Sequence, residues 1–234
     1  MSSTNTDPNV AFYGFSPVAR DPDVLFDGHP TASGDNPKQD LFTIENFPLP
    51  DSSLVRDVKA FVKNELDEQT FNHSNRVYVY GVALTKTHFP HWSYDYETYY
   101  LACLLHDIGT AEKYLATTKM SFEFKGAIVA RELIFSLGGV EDQADSVCDA
   151  IVRHQDIFVK GGNITMIGQI LQLSTVLGMS IVSIPRLTLD HASSSRQHGM
   201  VSSCYIFSLE SRKKLLILLK LTPSLSIHLL ATGI

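Results

Sequence analysis

Tyr99-Tyr100-Leu101-Ala102-Cys103-Leu104-Leu105-His106-Asp107-Ile108-Gly109 is an unbroken apolar run that ends on an imidazole and a carboxylate. A segment apolar on every side, rather than along one stripe, predicts a helix buried all round, from about Tyr94 to Asp107. Gly109 suits the C-terminal cap of such a helix. Delivering Asp107 into a buried position is costly, because an ionised carboxylate out of water needs a positive partner. A divalent metal supplies that partner and gives His106 a reason to stand beside it. Adjacent helical residues point about 100° apart, so the two share one ion only if it sits over the helix end. Imidazole with carboxylate suits Zn, Fe, Mn or Ni better than Mg or Ca.

Outward from that run the chain keeps a helical period. Leu54, Val55, Val58, Phe61, Val62 and Leu66 follow an N-cap at Asp51 or Ser52. A second helix over about Glu68 to His88 carries Phe71, Val77, Val79, Val82 and Leu84, and with them His73. Further helices are expected over about 122–137, 141–154 and 164–177, punctuated by Gly138-Gly139 and Gly161-Gly162. No strand alternation and no repeat stand out, so the fold class is all-α, a helical bundle. Residues 1–50, rich in Pro, Asp, Asn, Ser and Gly, read as an irregular arm, largely loop, in which Phe12-Tyr13-Gly14-Phe15 could dock on a neighbouring surface.

At residue 178 the composition breaks. Residues 1–177 hold 23 acidic and 13 basic side chains, whereas residues 178–234 hold 2 and 6, with eleven serines. The run Leu215-Leu216-Ile217-Leu218-Leu219 suggests a tail anchor over 215–234, but Lys220, Pro223 and His228 interrupt it, which argues against a membrane. A net charge of -6 argues against nucleic acid. Three cysteines without framework spacing fit a reducing compartment, and no secretory leader opens the chain. Cytosol or nucleus is the expectation. The partner is then a small-molecule substrate, with homo-oligomer formation left open.

A lone histidine in a helix is more often a satisfied core or surface residue than a ligand. His73 changes the weighing: it lies on the helix before His106 and Asp107, also among core residues, and the three form a candidate metal set. At this spacing the chain resembles the HD-domain superfamily of metal-dependent hydrolases. The resemblance sharpens to the fungal cyanamide hydratase family at Phe71-Asn72-His73-Ser74-Asn75-Arg76-Val77, Cys103 to Glu112, Thr118-Lys119-Met120-Ser121-Phe122-Glu123, Ile151-Val152-Arg153-His154-Gln155-Asp156 and Ile164 to Thr175. It covers about residues 51–177, an HD-type metal-binding helical domain. In the family an Asp follows three residues after the position of Thr175 and completes the metal set, and here that position is Gly178. Residues 178–234 do not match and read as frame-shifted or mis-spliced sequence.

The resemblance implies hydration of cyanamide, a small neutral nitrile, to urea by a metal-activated hydroxide, with zinc the first choice of metal. His154 is the candidate catalytic, proton-handling residue, since histidine titrates in the working range; packing at a helix end is its plainer reading. Thr175 is the substrate-binding candidate by family position. Asp156 is expected to be a helix-end carboxylate or one that orients a ligand histidine, and Arg76 and Lys119 are expected to pair with carboxylates. Two other readings remain: a nucleotide phosphohydrolase, which would want several basic side chains at the metal, and an impaired family member lacking its last ligand.

Overall fold

A computed structural model describes residues 7–26 and 46–183. In chain order these form α1 (Pro8–Phe12), β1 (Pro17–Ala19), α2 (Pro22–Leu25), α3 (Ser53–Glu65), α4 (Glu68–His88), α5 (Tyr96–Leu105), a 3-10 turn (Ile108–Thr110), α6 (Glu112–Leu115), α7 (Phe122–Ser136), α8 (Glu141–Arg153), β2 (Asn163–Thr165) and α9 (Met166–Ser183). The expected helical bundle is present.

Local chemistry sets the helix starts. Ser52 Oγ accepts from Val55 N at 3.1 Å, so α3 begins there and buries Leu54, Val55, Val58 and Val62 on one face. Asp67 Oδ1 accepts from Thr70 N at 3.0 Å and starts α4. Asp95 accepts from Thr98 N at 2.9 Å, which places the first residue of α5 at Tyr96 rather than at Tyr94. Every residue from Thr98 to Leu105 is buried, and α5 touches α3, α4, α7, α8 and α9. It is the axis of the bundle. Burying each of its large side chains contributes about 1.5–3 kcal/mol.

The N-terminal arm differs from its expectation as loop. Its residues 7–26 hold two short helices and a strand, and β1 pairs antiparallel with β2, Val18 facing Ile164. Phe12 O accepts from Asp95 N at 2.8 Å, and Tyr13 O accepts from Ser146 Oγ at 2.6 Å. The Phe12–Phe15 piece therefore docks on the start of α5 and on α8. Three-residue strands are too short for alternation to register in a sequence, and their pairing is made by backbone groups that any residue carries.

Gly109 is not a left-handed cap: it lies within the 3-10 turn and is not among the positive-φ glycines. A Cβ there would stand 1.9 Å from the Phe122 carbonyl oxygen, so the glycine serves close approach. Helix α9 runs on to Ser183, beyond the compositional break. Residues 184–234, including the serines at 193–195 and the run at 215–234, lie outside the described residues, as does most of the arm after Phe26. Among the described residues no helix is long and apolar enough to cross a membrane.

Candidate metal centre

The buried end of α5 is where the chemistry gathers. His106 follows the last residue of α5, and its Nδ1 lies 2.8 Å from Cys103 O. The same arrangement recurs at the end of α8, where His154 Nδ1 lies 2.6 Å from Ile151 O. A carbonyl can only accept, so in each ring the Nδ1 carries the proton and donates it, and the Nε2 is left with a lone pair. Both rings are fully buried, and neither Nε2 has a hydrogen-bond partner. The ends of α5 and α8 also bring the negative poles of two helices together, which favours a cation.

Asp107 is the point on which these groups converge. Its Oδ2 lies 3.1 Å from His106 Nε2 and 3.8 Å from His73 Nε2, and its Oδ1 lies 4.0 Å from His154 Nε2. Ligand atoms of His73, His106 and Asp107 all lie within 4.8 Å of one another. Neighbouring ring centroids are 5.3 Å apart for His73 and His106 and 5.2 Å apart for His106 and His154. Lone pairs and a carboxylate facing one another repel unless positive charge lies among them, so the donor set fits a divalent cation held by His73, His106 and Asp107.

The electrostatics of the metal-free cluster agree. Burial, and then the charge of His106, press the His73 imidazole down to about 4. His154 is pressed to about 4 by the same two causes. Burial also opposes charge on His106, but the adjacent Asp107 outweighs it and holds that imidazole above its ordinary value. Burial would raise the Asp107 carboxyl, yet His106 overcomes it and keeps the group well below the carboxylate range.

The structure brings His73, His106, Asp107 and His154 together. Thr175 lies on α9 with its hydroxyl donating to Leu171 O at 2.6 Å, one turn before Gly178, whose Cβ position would be 3.3 Å from His73 Cε1. Backbone carbonyls, not Asp156, hold the Nδ1 atoms of His106 and His154, and Asp156 sits just past the end of α8, its N donating to Arg153 O at 3.0 Å. Lys119 is exposed. Among the described residues Arg76 forms no carboxylate pair and its Nε is buried without a hydrogen bond. Sequence reasoning assigned no role to Phe122, whose ring meets His154 edge-on at 5.7 Å. The signal was available: Phe122 falls within the specific run Thr118–Glu123.

Residues 70–177 match the HD domain family. The chain is 47% identical over 131 residues to "Cyanamide hydratase DDI2" and to "Cyanamide hydratase DDI3" of Saccharomyces cerevisiae, a stretch covering 56% of this chain. That stretch spans 58% of the length of either relative. All the groups gathered on Asp107 fall within the residues that match the HD domain family, so the likeness to that family runs through the centre itself.

Proposed function

We propose that this protein adds water to a small nitrile, cyanamide giving urea, at the His73–His106–Asp107 centre with a divalent metal bound. Zinc is the first candidate, with Fe, Mn and Ni the others that this donor set suits. The observation that carries the reading is the bare, buried Nε2 of His154 facing the Asp107 carboxylate beside the metal set. Identity of 47% to the two yeast cyanamide hydratases supports the substrate class.

A metal at this centre supplies the positive charge that brings the pKa of bound water from 15.7 to about 7. The protein's own residues do the rest. His73 and His106 each present an Nε2, and the Cys103 carbonyl fixes the His106 ring so that this atom is the donor. His154, fixed likewise by Ile151 O, has its free lone pair where it can take the proton released as water adds to the nitrile carbon. It then returns that proton to the nitrile nitrogen, so that a C–O bond forms, one C–N π bond is lost and isourea results. The isourea hydroxyl proton then moves to the same nitrogen as the second C–N π bond gives way to C=O, which makes urea. The Thr175 hydroxyl has spent its hydrogen on Leu171 O, so toward a substrate it acts as an acceptor for an amino N–H. The acidic balance of the chain fits a small neutral substrate and no nucleic acid.

Purified, metal-loaded protein should make urea from cyanamide, lose that activity in His106→Ala, and leave nucleoside monophosphates intact. Phosphate release from nucleotides that disappears in Asp107→Asn would overturn the reading in favour of a phosphohydrolase.

A further inference from the structure

Every residue of α9 from Met166 to Gly178 is buried, yet two of them are glutamines, Gln169 and Gln172, three apart and so on one face. Burying a primary amide costs free energy unless its hydrogen bonds are made, and an apolar side chain would pack there without that cost. Gln169 donates from Nε2 to Arg20 O at 3.3 Å and so holds the N-terminal arm. Gln172, only 3% exposed, donates from Nε2 to Arg153 O at 3.1 Å.

Arg153 is the last residue of α8 and directly precedes His154. A helix leaves its last carbonyls without intrahelical partners. Here Ile151 O takes His154 Nδ1 at 2.6 Å, while Arg153 O takes both Asp156 N at 3.0 Å and Gln172. Asp156 N alone satisfies the Arg153 carbonyl, so the second bond adds position rather than rescue. The Arg153 side chain is held from the same direction: its Nε donates to Asp149 Oδ1 at 3.0 Å, and Asp149 Oδ2 accepts from Thr165 Oγ1 at 2.9 Å. Thr165 stands directly before α9. The residue preceding the proton-handling histidine is thus tied to α9 and its start through both its carbonyl and its guanidinium. Thr175 lies three residues beyond Gln172, on the same face of the helix.

We propose that Gln172 is a positioning residue of this centre: its amide fixes the end of α8 on α9, holding His154 toward Asp107 and in register with Thr175. For its effect on turnover this rests on the hydratase reading. Packing of α8 against α9 keeps the two helices together without the amide. What the amide sets is where the last turn of α8 stops, and a group misplaced by about 1 Å can cost a reaction about 10²-fold.

The experiment compares metal-loaded wild type with three variants. Gln172→Met keeps the length of the side chain and removes the donor. Gln172→Glu keeps the shape and sets a carboxylate against the Arg153 carbonyl. Ser146→Ala is the control, since it removes another buried bond of α8, to Tyr13 O at 2.6 Å, two turns before the helix ends. Metal content, denaturation midpoint and cyanamide turnover are measured, and the histidine Nδ1–H protons are followed by NMR. Gln172→Met should lower kcat by about 10–100-fold, with KM and metal content close to wild type, and Gln172→Glu should fall at least as far. The His154 Nδ1–H signal should shift or exchange faster, whereas that of His106, bonded to Cys103 O on α5, should stay. Ser146→Ala should lose comparable stability and keep its kcat and both signals. A kcat like wild type in Gln172→Met, a drop matched by Ser146→Ala, a drop that follows metal loss, or one with the His154 signal unmoved would each overturn the positioning role. Wild-type protein that makes no urea would instead sink the hydratase reading. The NMR signal then decides Gln172: unmoved in Gln172→Met, it overturns the tie, and moved while His106 stays, it upholds it.

Discussion

At Gly178 a Cβ would stand 3.3 Å from His73 Cε1, 3.5 Å from its Nδ1 and 3.6 Å from the Tyr80 ring. A carboxylate built there would begin beside the ligand histidine, on a side where the described donor set has nothing. Gly178→Asp should therefore tighten metal binding by about 10–100-fold, the scale on which even supporting groups of a metal site act. Gly178→Ala, which fills the same space without an oxygen, should bring no gain. Chelator competition measures both, and equal affinity in wild type and Gly178→Asp would show that the glycine costs the site nothing. His154→Gln tests the proton role: kcat should fall by about 10²–10⁴ with metal content unchanged, and metal loss in parallel would make His154 a ligand instead. The clustering of His73, His106 and Asp107 was legible in the sequence because each lies on or at the end of a helix rich in core residues. What fixes the rings was not legible. Those bonds end on the carbonyls of Cys103 and Ile151, groups every residue carries.

Among the elements, the helices could be read from periodicity and caps. Ser52 at the start of α3 and the all-round apolar character of α5 were both visible in the residues. The β1–β2 pair was not, being backbone pairing over three residues a side. Gly109 was misread for a related reason: a glycine shows that room or freedom is needed, but not which. Its neighbour across the gap is the Phe122 carbonyl, a backbone atom that cannot turn aside. Gly109→Ala should thus lift the first turn of α7 away from the turn carrying Asp107, costing on the order of 1–3 kcal/mol or more. Urea denaturation measures the loss, and activity should fall further than stability alone explains. A midpoint like that of wild type would mean that α7 is not held here. Asp67 offers a milder comparison, because its caps on Thr70 fix only the start of α4. Asp67→Ala should cost about 1 kcal/mol and leave metal content unchanged.

For the whole molecule the centre is also a liability, since it gathers three imidazoles and a carboxylate in the interior of the bundle. The consequence appears when metal is stripped and pH is lowered. His73 and His154 are held at about 4 in the fold, chiefly by burial and next by His106, against an ordinary value near 6.5 in the unfolded chain. Between those values the unfolded chain binds more protons, so their contribution is present above about pH 6.5 and is lost as pH falls toward 4. Asp107, held low mainly by His106 against its own burial, acts in the same direction but at more acid pH. His106 has the opposite sign: its raised value stabilises below about pH 6.5 and is lost on the alkaline side. Two depressed imidazoles outweigh one raised one. The chelator-treated protein should therefore lose stability from pH 7 to pH 4. Each tenfold difference in proton affinity between fold and unfolded chain is worth about 1.4 kcal/mol, so each depressed imidazole accounts for up to roughly 3 kcal/mol. His154→Gln removes one of them and should flatten the acid limb by close to half. Metal-loaded protein should hold out to lower pH and then fail more steeply, because protons must displace the ion. Urea-denaturation midpoints between pH 7 and 4, with and without chelator, measure all three curves. A chelated wild type whose midpoint stays level across that range would mean that the imidazoles titrate as they do in water, and that the convergence on Asp107 is looser than the distances imply.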